Sequence, residues 1–449
     1  MSERILVLHP ELSSRKGSDG NARIHARIPE ASLAEAVGLA RAINLDVVHE
    51  EIINLSRVTP ATVIGSGTVE RIKPLIEELD AKLVFVDYAL SPVQQRNLEK
   101  TWNAKVIDRT GLILEIFGAR ARTREGQLQV ELAALSFQRS RLVRSWTHLE
   151  RQRGGFGFMG GPGETQIEMD RRLIDERMRR LREDLESVRA NRKLQRESRK
   201  REPYPIIAIV GYTNAGKSTL FNRMTGSEVF AKDLLFATLD TTMRGLELPS
   251  GKKAIMSDTV GFISELPTQL VAAFRATLEE VQEATVILHV RDIGQENTEA
   301  EREDVLTILR ELGIDSENDP RLIEVLNKVD NLPEDDHMEL VRRVKRQAGR
   351  VAAVSAVTGE GIDHLLGMID DKLGENRETL HVNIDITDGK ALAWLYRRGQ
   401  VLERKDTQKH AQVTVSLEPE DVDRFRAQFD YKLSDKKSAK KKPRPRKKA

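Results

Sequence analysis

One short segment constrains the fold of this 449-residue chain more than any other. It is the run GYTNAGKS, residues 211–218, which matches the pattern GxxxxGK[ST]. The apolar run 205–210 before it predicts a buried strand, and residues 219–225 after it can begin a helix. A strand, a glycine loop and a helix N-terminus direct several backbone N–H groups towards one point. The segment therefore predicts a cradle for a polyphosphate, in which Lys217 supplies charge and Ser218 a hydroxyl for Mg²⁺.

Two motifs further along the chain place this cradle in a nucleotide switch domain. The first, DTVG at residues 258–261, follows the β-like segment 253–257, and the second, NKVD at 327–330, ends an apolar strand. We expect Asp258 to hold Mg²⁺ through water and the Gly261 N–H to reach a γ-phosphate. The order and spacing of the three motifs predict a nucleotide switch domain.

The second motif also predicts the base. The Asp330 carboxylate can accept hydrogen bonds from N1–H and the 2-amino group of guanine, and adenine presents neither donor. We expect Asn327 and Lys328 to brace the loop and cover the base. The backbone at Ser355 and Ala356, after the strand 351–354, can offer an N–H to guanine O6. The predicted ligand is therefore GTP or GDP.

The region between the cradle and Asp258 must supply a threonine to Mg²⁺, and the residues alone leave Thr238, Thr241 and Thr242 as alternatives. Phe262 follows Gly261, at a position where many such switches carry a glutamine that orients the attacking water. Phenylalanine cannot orient water, so we expect slow hydrolysis unless a partner completes the site. Such completion accelerates related enzymes by about 10³- to 10⁵-fold.

Composition excludes several classes of protein. The chain has no cysteine, which rules out disulfides and thiolate metal sites. No apolar run approaches the roughly 18 residues of a membrane span, and the start MSERILVLHP does not resemble a secretory signal. These features predict a cytoplasmic protein and, by our expectation, a monomer. Peripheral association with a membrane stays possible, and no DNA partner is expected.

The pattern of elements predicts a multidomain α/β chain. Alternating short strands and helices predict an N-terminal α/β domain over residues 1–110, and a helical region with heptad seams follows at 111–202. The Ras-like P-loop NTPase domain, or G domain, is expected at 203–375. A strand–helix–strand pattern then predicts a small α/β domain at 376–431. Residues 432–449, with ten Lys/Arg and one acid, predict a disordered basic tail.

The helical region predicts an antiparallel hairpin, because two heptad-patterned helices flank a glycine-rich tip at 154–163. Its first helix carries arginines at 139, 141, 144, 151 and 153. These arginines suit contact with RNA, and the alternative is a solvated coiled coil with a flexible turn. The tail has the same two interpretations, an RNA-binding segment or a solubilising one.

Taken together, these motifs resemble the HflX family of translational GTPases. The most specific stretches are RTGLILEIF from Arg109, RARTREGQLQVELA from Arg120, GGPGETQIEMDRR from Gly160, GYTNAGKSTLFN from Gly211, FATLDTT from Phe236 and DTVGFI from Asp258. The resemblance implies Mg²⁺-dependent GTP hydrolysis stimulated by the ribosome, binding to the RNA of the large ribosomal subunit, and separation of stalled or idle ribosomes under stress. Two alternatives stay open, a GTP-regulated assembly or RNA-docking factor without splitting activity and an RNA-remodelling ATPase.

The resemblance also implies residue roles. It makes Thr238 the Mg²⁺-binding switch threonine with Ser218 as its partner, and the expected catalytic residues are Lys217, Thr238 and Gly261. The predicted nucleotide-binding residues are Gly211, Tyr212, Thr213, Asn214, Ala215, Gly216, Lys217, Ser218, Phe236, Ala237, Thr238, Leu239, Asp240, Asp258, Thr259, Val260, Gly261, Asn327, Lys328, Val329, Asp330, Ser355, Ala356 and Val357.

Overall fold

The chain divides into two compact units, residues 1–366 and 367–449. A computed structural model describes residues 3–12, 27–152, 162–199, 204–226, 242–264, 280–315, 318–347, 349–375, 378–417 and 419–435. Among these residues, no helix has the length and apolar character needed to cross a membrane.

The first elements form a parallel sheet with helices, as the βα alternation predicts. They are β1 (Arg4–Leu12), α1 (Pro29–Ala42), β2 (Asp46–Leu55), α2 (Ser66–Glu78), β3 (Leu83–Val86), α3 (Pro92–Trp102), β4 (Lys105–Asp108) and α4 (Arg109–Arg120). The strands lie in the order β2-β1-β3-β4, and every pair is parallel. Ile5 and Val7 of β1 join one apolar cluster, while Leu6 and Leu8 join another. The residues from Ile5 to Leu8 are all apolar because both faces of the sheet are covered.

Two long helices, α5 (Arg124–Gln152) and α6 (Pro162–Arg199), form the predicted antiparallel hairpin. Ion pairs connect them in opposite-running order: Arg124–Asp184, Glu131–Arg177 and Arg139–Asp175. Leu128 packs against Leu181 and Leu185 in the apolar seam between the helices. Part of the region expected to belong to the hairpin is instead the separate helix α4. Its apolar residues, Leu112 among them, pack in the same cluster as β1.

The nucleotide domain contributes the next elements. They are β5 (Ile206–Gly211), α7 (Lys217–Thr225), β6 (Thr242–Glu247), β7 (Lys253–Asp258), β8 (Val286–Asp292), α8 (Thr298–Glu311), β9 (Leu322–Asn327), a 3-10 turn (Val329–Asn331), α9 (Glu334–Arg346), β10 (Val351–Ala353) and α10 (Ile362–Glu375). The sheet order is β10-β9-β8-β5-β7-β6, and only β6 is antiparallel to its neighbour. The predicted motifs follow β5, β7, β9 and β10, so they meet at the carboxyl edge of one sheet, where such folds bind ligands.

The second unit carries an antiparallel sheet in the order β12-β13-β11-β14. Its elements are β11 (Glu378–Asp385), α11 (Gly389–Arg398), β12 (Gln400–Asp406), β13 (His410–Leu417), α12 (Pro419–Gln428) and β14 (Leu433–Asp435). The sequence predicts β11, α11 and β13 but misses the other three elements. The basic tail was expected to begin at Lys432, and this start is wrong, because residues 433–435 pair with β11. Residues 436–449 lie outside the described residues.

A buried histidine makes the nucleotide domain sensitive to acid. His289 lies in β8, and its side chain is 1% exposed. Burial lowers the pKa of His289 to about 3, and Arg291 and Arg302 lower it further, although Glu324 acts in the opposite direction. Below pH 6.5, His289 is protonated in the unfolded chain, whereas in the folded chain it stays neutral until about pH 3. Its contribution to stability is therefore lost as the pH falls from 6.5 towards 3.

We expect His289→Gln to weaken this acid sensitivity. Between pH 7 and pH 5 the stability of the parent should fall by about 2 kcal/mol relative to the variant, since each pH unit below the unfolded pKa is worth roughly 1.4 kcal/mol. The measurement is the unfolding midpoint against pH, followed by circular dichroism. His364→Gln, on the exposed side of α10, is the control. Parallel pH profiles for His289→Gln and the parent would contradict the assignment.

Candidate nucleotide site

The phosphate loop between β5 and α7 has the backbone that its glycines allow. Gly211 has φ +154° and Gly216 has φ +88°. A Cβ at Gly211 would lie 2.2 Å from the carbonyl oxygen of Val290, and one at Gly216 would lie 2.2 Å from Nδ2 of Asn327. Both positions therefore exclude a side chain. The loop lies against β8 on one side and the NKVD segment on the other.

Lys217, the first residue of α7, has its ammonium group inside the loop. Its side chain is buried, and Nζ donates a hydrogen bond to the Tyr212 carbonyl at 2.6 Å. Burial lowers the pKa of Lys217 to about 8, although Asp258 and Glu301 act to raise it. A buried cation of this kind is stabilised by an anion that enters the loop. The Lys217 ammonium group is the charge that the phosphate-loop motif predicts for phosphate binding.

Ser218 and Asp258 meet beside Lys217. Ser218 Oγ donates to Asp258 Oδ2 at 2.8 Å, and Asp258 is fully buried at the end of β7. A hydroxyl and a carboxylate are hard oxygen donors of the type that Mg²⁺ prefers beside phosphates. The two side chains therefore fit a Mg²⁺ ion that is shared with a bound polyphosphate.

The segment that follows Asp258 is joined to the phosphate loop by backbone hydrogen bonds. Phe262 N–H donates to the Gly211 carbonyl at 3.1 Å, and its carbonyl accepts from Thr213 N–H at 2.7 Å. Phe262 is 1% exposed and lies in the apolar core. A Cβ at Gly261 would lie 3.0 Å from Lys217 Nζ and 2.9 Å from Thr213 Cγ2. The backbone of Gly261 therefore stands directly at the lysine.

Asn327 joins the phosphate loop to the loop after β10. Its Nδ2 donates to the Ala215 carbonyl at 2.8 Å, and its Oδ1 accepts the Ala356 N–H at 3.0 Å. Lys328 pairs with Asp292 at 2.8 Å. The carboxylate of Asp330 is exposed beside these fixed groups. Asn327 braces the loops as expected, and Asp330 is accessible to a base.

The loop after β10 differs in detail from the prediction. The Ala356 N–H donates to Asn327, and the Ser355 N–H donates to the Glu360 carbonyl at 3.0 Å, so both predicted donors to guanine O6 are engaged inside the protein. Val357 is 68% exposed. Arg223 of α7, which no motif singled out, donates to the Ala356 carbonyl at 3.1 Å and also to that of Val357. Only its position on the helix after the phosphate loop could have indicated this role.

The predicted switch-loop residues Phe236, Ala237, Thr238, Leu239 and Asp240 lie outside the described residues. The structure therefore brings together the phosphate loop, the segment from Asp258 to Phe262 and the base-binding segment, and the role of Thr238 stays a prediction. Thr259, also predicted to bind nucleotide, has its Oγ1 bonded to the Ile209 carbonyl at 2.6 Å. That hydroxyl ties β7 to β5.

A six-stranded sheet with a glycine phosphate loop, a buried lysine, a DTVG segment and an NKVD loop at one edge defines a P-loop GTPase. Family models match the chain in four consecutive parts, described as GTP-binding GTPase N-terminal (residues 30–118), GTP-binding GTPase Middle Region (120–199), 50S ribosome-binding GTPase (206–328) and HflX C-terminal domain (339–442). The chain belongs to the HflX family and is a GTPase that binds guanine nucleotides and hydrolyses GTP.

Individual relatives align with this chain over most of their length. The GTPase HflX of Magnetococcus marinus is 48% identical over 398 residues, which cover 89% of this chain and 90% of that protein. The GTPase HflX of Escherichia coli is 43% identical over 364 residues, which cover 81% and 84% respectively. Among solved structures, a GTP-binding protein from the archaeon Sulfolobus solfataricus in complex with GDP is similar at 21% identity and a TM-score of 0.42, covering 83% of this chain and 98% of that one.

We expect Gly216→Ala to weaken GDP binding by at least about tenfold. The left-handed backbone and the contact with Asn327 together should cost more than roughly 1.4 kcal/mol at the phosphate loop. Gly226→Ala is a matched control, because Gly226 ends the same helix with φ +63° and a Cβ added there would have no atom within 4 Å. Affinity is measured by fluorescence of a labelled GDP. Equal losses in the two variants would mean that strain alone, and not the Asn327 contact, is responsible.

Asp330→Asn should change base preference. The amide oxygen can still accept from N1–H, but the amide NH2 then faces the 2-position of the base, where it can donate to the 2-oxo group of xanthine and cannot accept from the 2-amino group of guanine. GDP affinity should therefore fall about 10- to 100-fold while xanthosine diphosphate gains. Competition titrations with both nucleotides measure the ratio, and Asp335→Asn in the exposed first turn of α9 is the control. A parallel loss of both nucleotides would reject Asp330 as the base-reading residue.

Proposed function

We propose that this chain is a Mg²⁺-dependent GTPase that binds the large ribosomal subunit and separates stalled or idle ribosomes, under stress in particular. The position of Phe262 carries the proposal. This side chain is buried in the core immediately after Gly261, so it does not orient an attacking water. The site then needs a water-orienting group from a partner to hydrolyse GTP at a useful rate. A partner that supplies this group also determines when hydrolysis occurs.

The contacts of Lys217, Ser218, Asp258 and Gly261 support the roles that we propose for them, and the role of Thr238 comes from the family resemblance. Lys217 neutralises phosphate charge from inside the loop, and the Gly261 N–H lies where a γ-phosphate would meet it. Ser218 and Thr238 would hold Mg²⁺, and Asp258 would act on it through a water molecule. When bound, the ion would supply positive charge that offsets the negative charge developing on the phosphates. These groups position GTP and exclude solvent from it, but they leave the activation of water to the partner.

The family description supports the ribosome as that partner, since residues 206–328 match a 50S ribosome-binding GTPase model. The hairpin supports contact with ribosomal RNA, although in a narrower region than the arginine pattern suggests. Arg139 pairs with Asp175, and Arg141 pairs with Asp108 of the N-terminal domain. We therefore assign RNA contact to the part of the hairpin beyond Arg141 and to its predicted glycine-rich tip, of which residues 154–161 lie outside the described residues. We also propose that the protein acts in the cytoplasm, where it would meet ribosomes, and that it acts as a monomer.

The test is GTP turnover with purified ribosomal subunits. We expect the large subunit at saturation to raise kcat by about 10³-fold or more, because it completes the site, and the small subunit to have little effect. Lys217→Ala should remove the stimulated activity. Unchanged turnover with saturating large subunits would reject the ribosomal partner.

Sedimentation then separates splitting from docking. Intact ribosomes incubated with the protein and GTP should dissociate into subunits, and GDP should not support this. If ribosomes stimulate turnover but stay intact, the protein is a GTP-regulated docking or assembly factor.

A further inference from the structure

Arg223 links the helix after the phosphate loop to the loop that follows β10. It lies in the last turn of α7, the helix whose first residues are Lys217 and Ser218. Its Nε donates to the Ala356 carbonyl at 3.1 Å, and its Nη2 donates to the Val357 carbonyl. The planar fork of a guanidinium suits two such acceptors, because its N–H groups point in fixed directions. One side chain of the phosphate-binding helix therefore holds two consecutive carbonyl groups of the loop.

The loop after β10, residues 355–361, takes its internal shape from its own backbone. The Ser355 N–H donates to the Glu360 carbonyl at 3.0 Å and so closes the turn. Gly361 has φ +73°, and a Cβ there would lie 2.1 Å from the carbonyl oxygen of Ala353. These features fix the shape of the loop but not its place in the nucleotide site. Its place depends on bonds to neighbouring elements.

Side chains of β9, α7 and α9 provide such bonds. Asn327 of β9 accepts the Ala356 N–H at 3.0 Å, and Arg223 of α7 donates to the carbonyl of the same residue. His337 of α9 has its Nε2 3.0 Å from Glu360 Oε1. Ala356 is thus held at both of its polar backbone groups, from two different elements of the nucleotide domain.

The segment held in this way lies beside the predicted base site. Asn327 begins the NKVD motif, and the exposed Asp330 follows three residues later. Asn327 also donates to the Ala215 carbonyl of the phosphate loop at 2.8 Å. Val357, the second residue that Arg223 holds, is 68% exposed. A segment that borders the base and not the phosphates contributes to nucleotide binding through the base.

The simpler interpretation of Arg223 is a solvated cation that favours the C-terminus of its helix. That role requires no partner on another element. Arg223 instead extends along the loop, since a Cβ added at Gly359 would lie 3.7 Å from its Cζ. Two carbonyl acceptors and this contact place the whole guanidinium against the loop.

We propose that Arg223 is a positioning residue for guanine binding. By holding Ala356 and Val357, it keeps the 355–361 loop beside the base that Asp330 reads, and it thereby slows the release of nucleotide. It contributes to the affinity for the base and not to the affinity for the phosphates. The proposal rests on guanine-nucleotide binding by the chain and not on its ribosomal partner.

The test compares Arg223→Ala with Arg310→Ala in the full-length chain without ribosomes. Arg310 is the control, because it is an exposed arginine of the same domain that donates to Glu303 and Thr307 of its own helix. Release of labelled GDP is followed by fluorescence, and tripolyphosphate, which has no base, is titrated as a competitor.

We expect Arg223→Ala to release GDP about tenfold faster, the factor that one lost hydrogen bond from a charged donor can give. KM for GTP should rise by about the same factor. The affinity for tripolyphosphate and kcat should change by less than about threefold, since the phosphate loop is not altered. Arg310→Ala should resemble the parent in all four quantities.

A conservative variant keeps the test independent of folding. Arg223→Lys retains the charge and one donor, but it lacks the fork that reaches two carbonyl groups. Its rate of GDP release should therefore lie between those of the parent and Arg223→Ala. The unfolding midpoint of each variant without nucleotide shows whether the domain is folded, and Arg223→Lys carries the test if Arg223→Ala is not.

Three results would overturn the proposal. The first is an unchanged rate of GDP release in folded Arg223 variants. The second is a loss of tripolyphosphate affinity as large as the loss of GDP affinity, because the phosphate loop itself would then be disturbed. The third is a fall in kcat at constant KM, which would assign the residue to hydrolysis. Since all measurements use the protein alone, failure of ribosome stimulation leaves this test unaffected.

Discussion

The carboxamide of Asn327 holds together the loops on which guanine-nucleotide chemistry depends. Its two polar atoms join the phosphate loop at Ala215 to the loop that begins at Ala356, and both hydrogen bonds are buried. Gly216 is a glycine because this amide occupies the space of its missing side chain. Three segments far apart in sequence thus reach one geometry through a single side chain. A buried amide with both ends satisfied is well suited to this role, because any displacement leaves a polar group unpaired.

The other groups of the site have different roles, which follow from where each of them is buried. Lys217 and Asp258 supply opposite charges inside the site, at some cost in desolvation that a bound nucleotide and its Mg²⁺ would offset. Phe262 instead contributes to the core, so its side chain does not orient an attacking water beside the Gly261 backbone. The enzyme is built to bind and orient GTP. Under the proposed function, its rate depends on a partner that supplies a group to orient the attacking water.

Local sequence predicted the phosphate loop, the DTVG segment and the base-reading loop, because each is a contiguous motif whose backbone conformation depends on its own residues. The strand β12 was missed because its exposed, charged residues lack apolar alternation, and β14 was missed because it has only three residues. The arginine pattern of the hairpin was informative about charge but not about partners. Arg141 lies in a helix expected to contact RNA, yet Asp108 accepts its hydrogen bond from 33 positions earlier.

The sequence by itself determined the class of the protein and its ligand, because a phosphate loop binds phosphates and an NKVD motif recognises guanine. Only the tertiary structure decided that Tyr212 and Ser264 meet Glu35 and Arg109. The two halves of that network lie about 100 residues or more apart, and nothing in either half specifies the other. Its members are brought together by packing of the N-terminal domain against the nucleotide domain. The contacts of a buried polar group depend on what the folded chain places around it.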